Sequence, residues 1–259
     1  EIAQVFEKWN KGRVGSYLLE LSAKILHLKD PEKDRLMIDS ILDVAGQKGT
    51  GIETILAALN LGVSVSIIGT AVAIRLMSKR RGEREQIHDV MKPKRFPLKV
   101  ASRPKFIEML GEALHAATLL IFSQGFRQLQ AASAEYGWKL PLAEIAQLWT
   151  GGCVIRCACL KDIAAAYLRE PDLTHLMVAD GIREEILRCE DSLAEVIAAA
   201  ARARIPKLTL SAAHEYLLLM QDTDLPVNLV AAQRDGFGNH GFFRADRMGS
   251  GLYHLSLDD

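Results

Sequence analysis

Apolar residues recur at three- and four-residue spacing along most of the chain, the period of a helix buried on one face. Ile2, Val5, Phe6 and Trp9 open the pattern, and Gly12 interrupts it. Leu18, Leu19, Leu21, Ile25 and Leu26 supply a second apolar face, which Asp30-Pro31 ends because the residue before a proline is pushed out of the helical region. A short amphipathic helix is predicted over 37–44, then three glycines break the period at 45–51. Helices are predicted again over 52–59 and 65–77. Residues 82–102 are polar and carry Pro93 and Pro97, with Pro104 close behind; they read as a connection and the best internal boundary. Beyond it the period predicts one long helix over 105–136, or two joined near Gly125. Shorter helices follow over 142–149, 154–167, 173–187, 193–203 and 208–221. No stretch alternates with the period of a strand. The predicted fold class is therefore all-α. A glycine turn precedes an apolar helix twice, at 46–51 and at 151–152, which suggests two similar helical halves.

The end of the chain differs in character. A short helix is expected over 227–233, and then a glycine-rich, aromatic stretch with no helical period. Phe237, Phe242, Phe243 and Tyr253 in this tail argue that it docks on a surface rather than staying free. The domain reading is a helical body over 1–226 and a docking tail over 227–259.

Composition narrows the class without naming it. The 259 residues are 49% hydrophobic and 25% charged, as in a packed globular domain large enough to need no disulfide or metal staple. The 32 basic and 32 acidic residues cancel, so no global field favours nucleic acid or an anionic membrane. The run 57–76 is the one membrane candidate; Asn60, Gly62 and Arg75 within it favour a turn and a buried helix. Glu1, Glu7 and Lys8 stand where a signal peptide would be apolar, so a cytoplasmic location is expected. Cys153, Cys157, Cys159 and Cys189 form no Cys-x-x-Cys pair and have no histidine cluster beside them. They read as buried free thiols in a reducing compartment, with no metal expected.

The stretch Ala45-Gly46-Gln47-Lys48-Gly49-Thr50-Gly51 suits an anion. Glycines let successive backbone amides converge, Lys48 adds a positive charge, Thr50 adds a hydroxyl, and the following helix points its N-terminus at the loop. The same residues also serve as one helix cap followed by another. Arg75 ends an apolar helix; it is either buried and ligand-paired or the start of the exposed basic turn at Lys79. The seven histidines are scattered, and no nucleophile elbow, zinc motif or dinucleotide fingerprint occurs. No catalytic residue is assigned.

Four separated motifs resemble one family. Ala45–Gly51, the segment 73–75, Leu-Trp-Thr-Gly-Gly-Cys-Val-Ile-Arg at 148–156 and Ala-Gln-Arg-Asp-Gly-Phe-Gly-Asn-His at 232–240 lie in the order seen in 6-phosphogluconate dehydrogenase, as does Phe6-Glu7-Lys8-Trp9-Asn10. The similarity is to that family's helical C-terminal domain and runs from near residue 1 to about residue 254. The resemblance implies that Lys48, Thr50 and Arg75 bind the phosphate of 6-phosphogluconate. It also implies that Arg234 and His240 reach into a partner's site in a homodimer. The parent reaction would be NADP-dependent oxidative decarboxylation in the pentose phosphate pathway. The family's NADP-binding Rossmann domain and the lysine and glutamate of its K-x-x-H-N-x-x-E segment have no counterpart here, so no cofactor is expected to bind this chain alone. The resemblance implies a separate or removed Rossmann domain as an expected partner. Three residues at two places depart from the pattern within the shared region. Ile52-Glu53 stands where Lys-Trp is usual, and Gly236 stands for an aromatic residue. An inward-pointing Glu53 would oppose an anion. The alternative reading is a helical dimer that keeps the scaffold without the chemistry.

Overall fold

The computed structural model describes residues 1–46 and 48–256; Gln47 of the glycine loop and the last three residues lie outside them. The described residues are helical, with three isolated bridges and no strand. The chain divides into two compact units, Glu1–Tyr216 and Leu217–Asp259.

The first unit is built around one helix, α6 (Arg103–Tyr136), which runs unbroken through Gly125. Ser102 starts it by accepting a hydrogen bond from Lys105 N, and Pro104 sits in its first turn, where no amide is needed. Ala113, Ala116, Leu119, Leu120 and Phe126 line its buried side. The other long helix, α9 (Ile182–Arg202), packs along α6 through Ile186, Cys189, Leu193 and Val196. Around this pair stand α1 (Ile2–Asn10) against α2 (Tyr17–Ile25), α3 (Thr50–Asn60) against α4 (Ser66–Ser78), and α7 (Leu142–Leu148) against α8 (Leu160–Arg169). By length and composition α6 is the one described helix that could cross a membrane; its apolar face is spent on the core. The run 57–76 is split by a turn at Gly62, and α4, at 13 residues, is too short for a span.

Several expectations are corrected. The amphipathic helix predicted over 37–44 is only a 3₁₀ turn, Met37–Ser40. Residues 82–102 are not all connection: α5 (Arg81–Met91) occupies the first half. The predicted helix over 154–167 starts only at Leu160. Before it, Tyr17 N donates to Arg156 O at 2.9 Å and Ala158 N to Gly15 O at 2.8 Å, so 156–158 is paired backbone. The separate helices over 173–187 and 193–203 are a short 3₁₀ turn, Leu176–Val178, followed by the single helix α9.

α10 (Leu208–Gln221) carries the chain into the second unit, where α11 (Val227–Gly238) is longer than the expected 227–233. The tail then folds back on itself, with Phe242 and Tyr253 exchanging both backbone hydrogen bonds at 2.9 Å.

Candidate functional site

The start of the glycine loop, Ala45 and Gly46, is held by α4, and Asp43 just before it is held by α5. Ser78, at the end of α4, accepts a hydrogen bond from Ala45 N at 2.9 Å and donates to Arg75 O at 2.7 Å. Arg75 donates from Nε to the Gly46 carbonyl at 3.1 Å, and its Nη2 closes on the same oxygen. One step upstream, Asp43 accepts from Arg84 Nη1 at 2.8 Å and from Arg81 Nη1 at 3.1 Å. The Arg84 hydrogen bond holds the Asp43 carboxyl below the usual carboxylate range. Arg75 is exposed, so the buried alternative for it is set aside. It does not trail into bulk solvent, because its guanidinium is clamped on the loop.

Past the loop, Gly49 has φ of +107°, a conformation that side-chain-bearing residues rarely adopt, and it supplies no capping side chain to α3. Among the described residues no side chain caps the first amides of α3, at the end where the helix dipole favours an anion. Thr50, the first helical residue, and Lys48 are both exposed here. Glu53 is exposed in the same turn, and its Oε1 lies 3.6 Å from where a Cβ on Gly49 would stand, so a carboxylate leans over the loop.

The two helices that frame this corner are set by α6. Gln124 is fully buried; its Oε1 accepts from Ile67 N at 3.1 Å and its Nε2 donates to Ser66 Oγ at 3.0 Å, capping α4 from outside. One turn on, Gln128 Nε2 donates to the Thr54 carbonyl of α3 at 2.9 Å. Gly51 fixes the spacing of α3 and α4, since a Cβ there would come within 2.8 Å of Val72 Cγ2. Val72 is buried and stiff at χ1, so it cannot swing aside. Gly51→Ala should therefore cost about 1–3 kcal/mol of overpacking, despite the better helix propensity of alanine. Val72→Ala in the same chain should recover most of that loss. Urea unfolding of the two single variants and the double variant reads the coupling. Additive effects would show that the helices separate freely.

Arg234 and His240 belong to the second unit and are both exposed. Arg234 lies within α11, not in an extended tail as expected. His240 follows the left-handed Asn239 that ends this helix, and its ring meets Phe237 edge-on at 6.3 Å. Between them, buried Asp235 organises the tail. It accepts hydrogen bonds from Gly241 N at 2.7 Å and Leu255 N at 2.6 Å, and its Oδ1 lies 2.8 Å from His254 Nδ1. The Leu255 amide foremost holds this carboxyl below its usual range. Sequence reasoning assigned no role to Asp235, Ser78, Asp43 or Gln124. Only the place of Asp235 inside the 232–240 motif hinted at one. Among the described residues no cluster of three side chains could hold a metal ion.

The comparisons agree with this architecture. The family description "6-phosphogluconate dehydrogenase, C-terminal domain" matches residues 1–256. The chain belongs to the 6-phosphogluconate dehydrogenase family. The NADP(+)-dependent, decarboxylating 6-phosphogluconate dehydrogenase of Bacillus subtilis is 38% identical over 254 residues, covering 98% of this chain and 54% of that protein. The mouse enzyme is 38% identical over 242 residues, covering 93% of this chain and 50% of its own length. Plasmodium falciparum 6-phosphogluconate dehydrogenase superposes with a TM-score of 0.94 at 35% identity, over 98% of this chain and 54% of that one. That enzyme has been solved in its apo form, with its cofactor NADP+ and with its substrate 6-phosphogluconate. The chain thus spans about half the length of the 6-phosphogluconate dehydrogenases it matches.

Proposed function

We propose that this chain is the substrate-binding and dimerisation part of a 6-phosphogluconate dehydrogenase-type enzyme. Its phosphate subsite is the corner formed by Lys48, Thr50, the first amides of α3, and Arg75. The observation that supports the reading is the clamp of Arg75 on Gly46, close to the N-terminus of α3, which no side chain caps among the described residues. Arg75 spends its Nε and Nη2 edge on Gly46, and its Nη1, which has no hydrogen-bond partner among the described residues, offers its donors to a phosphate oxygen. Lys48 contributes charge and Thr50 a hydroxyl, so an arriving dianion meets charge-assisted hydrogen bonds. In a homodimer, Arg234 and His240 of each subunit complete the other subunit's site, which gives two equivalent composite sites under C2 symmetry. NADP and the groups that move hydride and protons are supplied outside this chain. In this reading the protein works in the cytoplasm.

Calorimetric titration tests the subsite. The chain should bind 6-phosphogluconate and not gluconate, which lacks only the phosphate, and it should form no NADPH when both 6-phosphogluconate and NADP are present. Glu53→Gln should raise the affinity, because it removes a carboxylate from beside the anion. Equal affinity for the two sugar acids would overturn the subsite, and NADPH formation would overturn the division of labour.

A further inference from the structure

Cys157 and Cys159 flank Ala158 in the turn that enters α8, and their sulfurs are 2.8 Å apart. The backbone keeps them together. Residues 156–158 are hydrogen-bonded to Gly15 and Tyr17, and the Cys159 carbonyl accepts from Ile163 N at 3.0 Å as α8 begins. Both thiols are buried, yet each forms part of a cavity wall open to solvent. Cys157 lines an apolar groove of about 630 Å³ beside Leu19, Phe122 and Trp149. Cys159 lines a polar cavity of about 880 Å³ beside Arg13, His115 and Asp162. A small reagent can therefore reach the pair. The chain's other buried thiol, Cys189, is fully covered, and burial pushes it up to about 11.

We propose that Cys157 and Cys159 form a reversibly oxidisable dithiol, which a hydroperoxide converts to an intramolecular disulfide with Cys157 attacking and Cys159 resolving. The roles follow from how the pair shares its protons. The hydrogen bond with Cys159, joined by the amides of Leu160 and Cys159, holds the Cys157 thiol below its ordinary value. Cys159 is pushed up by the same hydrogen bond and by burial, and it keeps its proton. The Cys157 thiolate is thus the nucleophile. Its sulfur attacks one peroxide oxygen, an S–O bond forms, the O–O bond breaks, and the leaving oxygen departs as water (or alcohol) after taking a proton. The Cys159 sulfur then attacks the resulting sulfenic acid; the S–S bond forms, the S–O bond breaks, and the hydroxyl leaves as water with the Cys159 proton. Two electrons pass from the dithiol to the peroxide. Closing 2.8 Å to a bond of about 2.05 Å needs less than an ångström of sulfur movement.

The cut sites of trypsin isolate the pair. Cleavage after Arg156 and Lys161 releases 157–161 with both cysteines and leaves Cys153 on the preceding peptide. The intact chain, treated with one equivalent of hydrogen peroxide, should lose two of its four thiols. Peptide 157–161 should then be lighter by two hydrogens until dithiothreitol restores it. Cys159→Ser should give a dimedone adduct on Cys157 instead, and Cys157→Ser should give no adduct on Cys159. A 157–161 peptide that stays a dithiol while Cys153 or Cys189 is oxidised would overturn the proposal, as would a disulfide from Cys157 to Cys153. The wild-type peptide decides the matter even if a variant fails to fold.

Discussion

Replacing Arg75 by leucine should weaken binding of 6-phosphogluconate by about tenfold to a hundredfold, the loss expected when a hydrogen-bonded charge of about 1.5–3 kcal/mol is removed. Two effects add. The phosphate loses a guanidinium edge, and Gly46 loses the donor that holds the loop at the mouth of α3. Arg75→Lys separates them only in part, because an ammonium keeps the charge but cannot hold the loop and the anion with one planar fork. Ser78→Ala separates them better. It frees Ala45 N and slackens the loop without touching the anion side of Arg75, so it should cost affinity by a smaller factor than Arg75→Leu. Calorimetry on the three variants, with circular dichroism to verify the helical content, reads the order. Wild-type affinity in Arg75→Leu would remove the phosphate role.

The residue types of this corner are legible in sequence because they lie in one short stretch, and an all-α class follows from the period of the apolar positions. What holds the corner is not local. Gln124 caps α4 from 57 positions away, and Ser78 reaches Ala45 across 33. Neither pairing leaves a mark on the period of either segment. α5 was hidden for a different reason. None of its residues is buried, and it rests on ion pairs such as Arg81 to Glu85 at 2.8 Å and on Asp43 before the loop; its apolar residues, Ile87, Val90 and Met91, are exposed and confined to its last turns, too short a stripe to stand out in a polar stretch. The paired turn before α8 misled in the opposite sense. Val154 and Ile155 look like a helix face, yet both are exposed, and the backbone that follows pairs with residues around Ser16. In α9 the polar run from Glu190 to Ser192 suggests a gap, although Cys189 and Leu193 on either side of it face the same core. Gly236 and Gly238 suggest a turn at Arg234, but the helix continues to Gly238 before the left-handed Asn239 ends it.

The other large effect lies in the core. Phe126→Ala should destabilise the protein by about 3–5 kcal/mol, a sizeable part of the roughly 5–15 kcal/mol that holds a domain together. Phe126 is fully buried at the middle of α6 and joins three elements. Its ring stacks on Tyr167 of α8 at 5.2 Å between centroids and meets Trp149, which ends α7, at 5.4 Å and an angle of 60°. Truncation would leave a cavity walled by two large rings attached to helices that pack on each other, and such a wall cannot collapse far. Tyr167 is buried and its hydroxyl finds no hydrogen-bond partner among the described residues, so packing against Phe126 places its ring. Phe126→Leu, which keeps most of the volume, should cost less. Leu148→Ala, at a side chain 74% exposed beside Trp149, should change stability by no more than about 0.5 kcal/mol. Urea unfolding followed by circular dichroism reads all three. The midpoint of Phe126→Ala should fall with little change in slope, since the surface exposed on unfolding is nearly the same. A Phe126→Ala midpoint equal to that of Leu148→Ala would show that α7 and α8 are held on α6 by something other than this aromatic cluster.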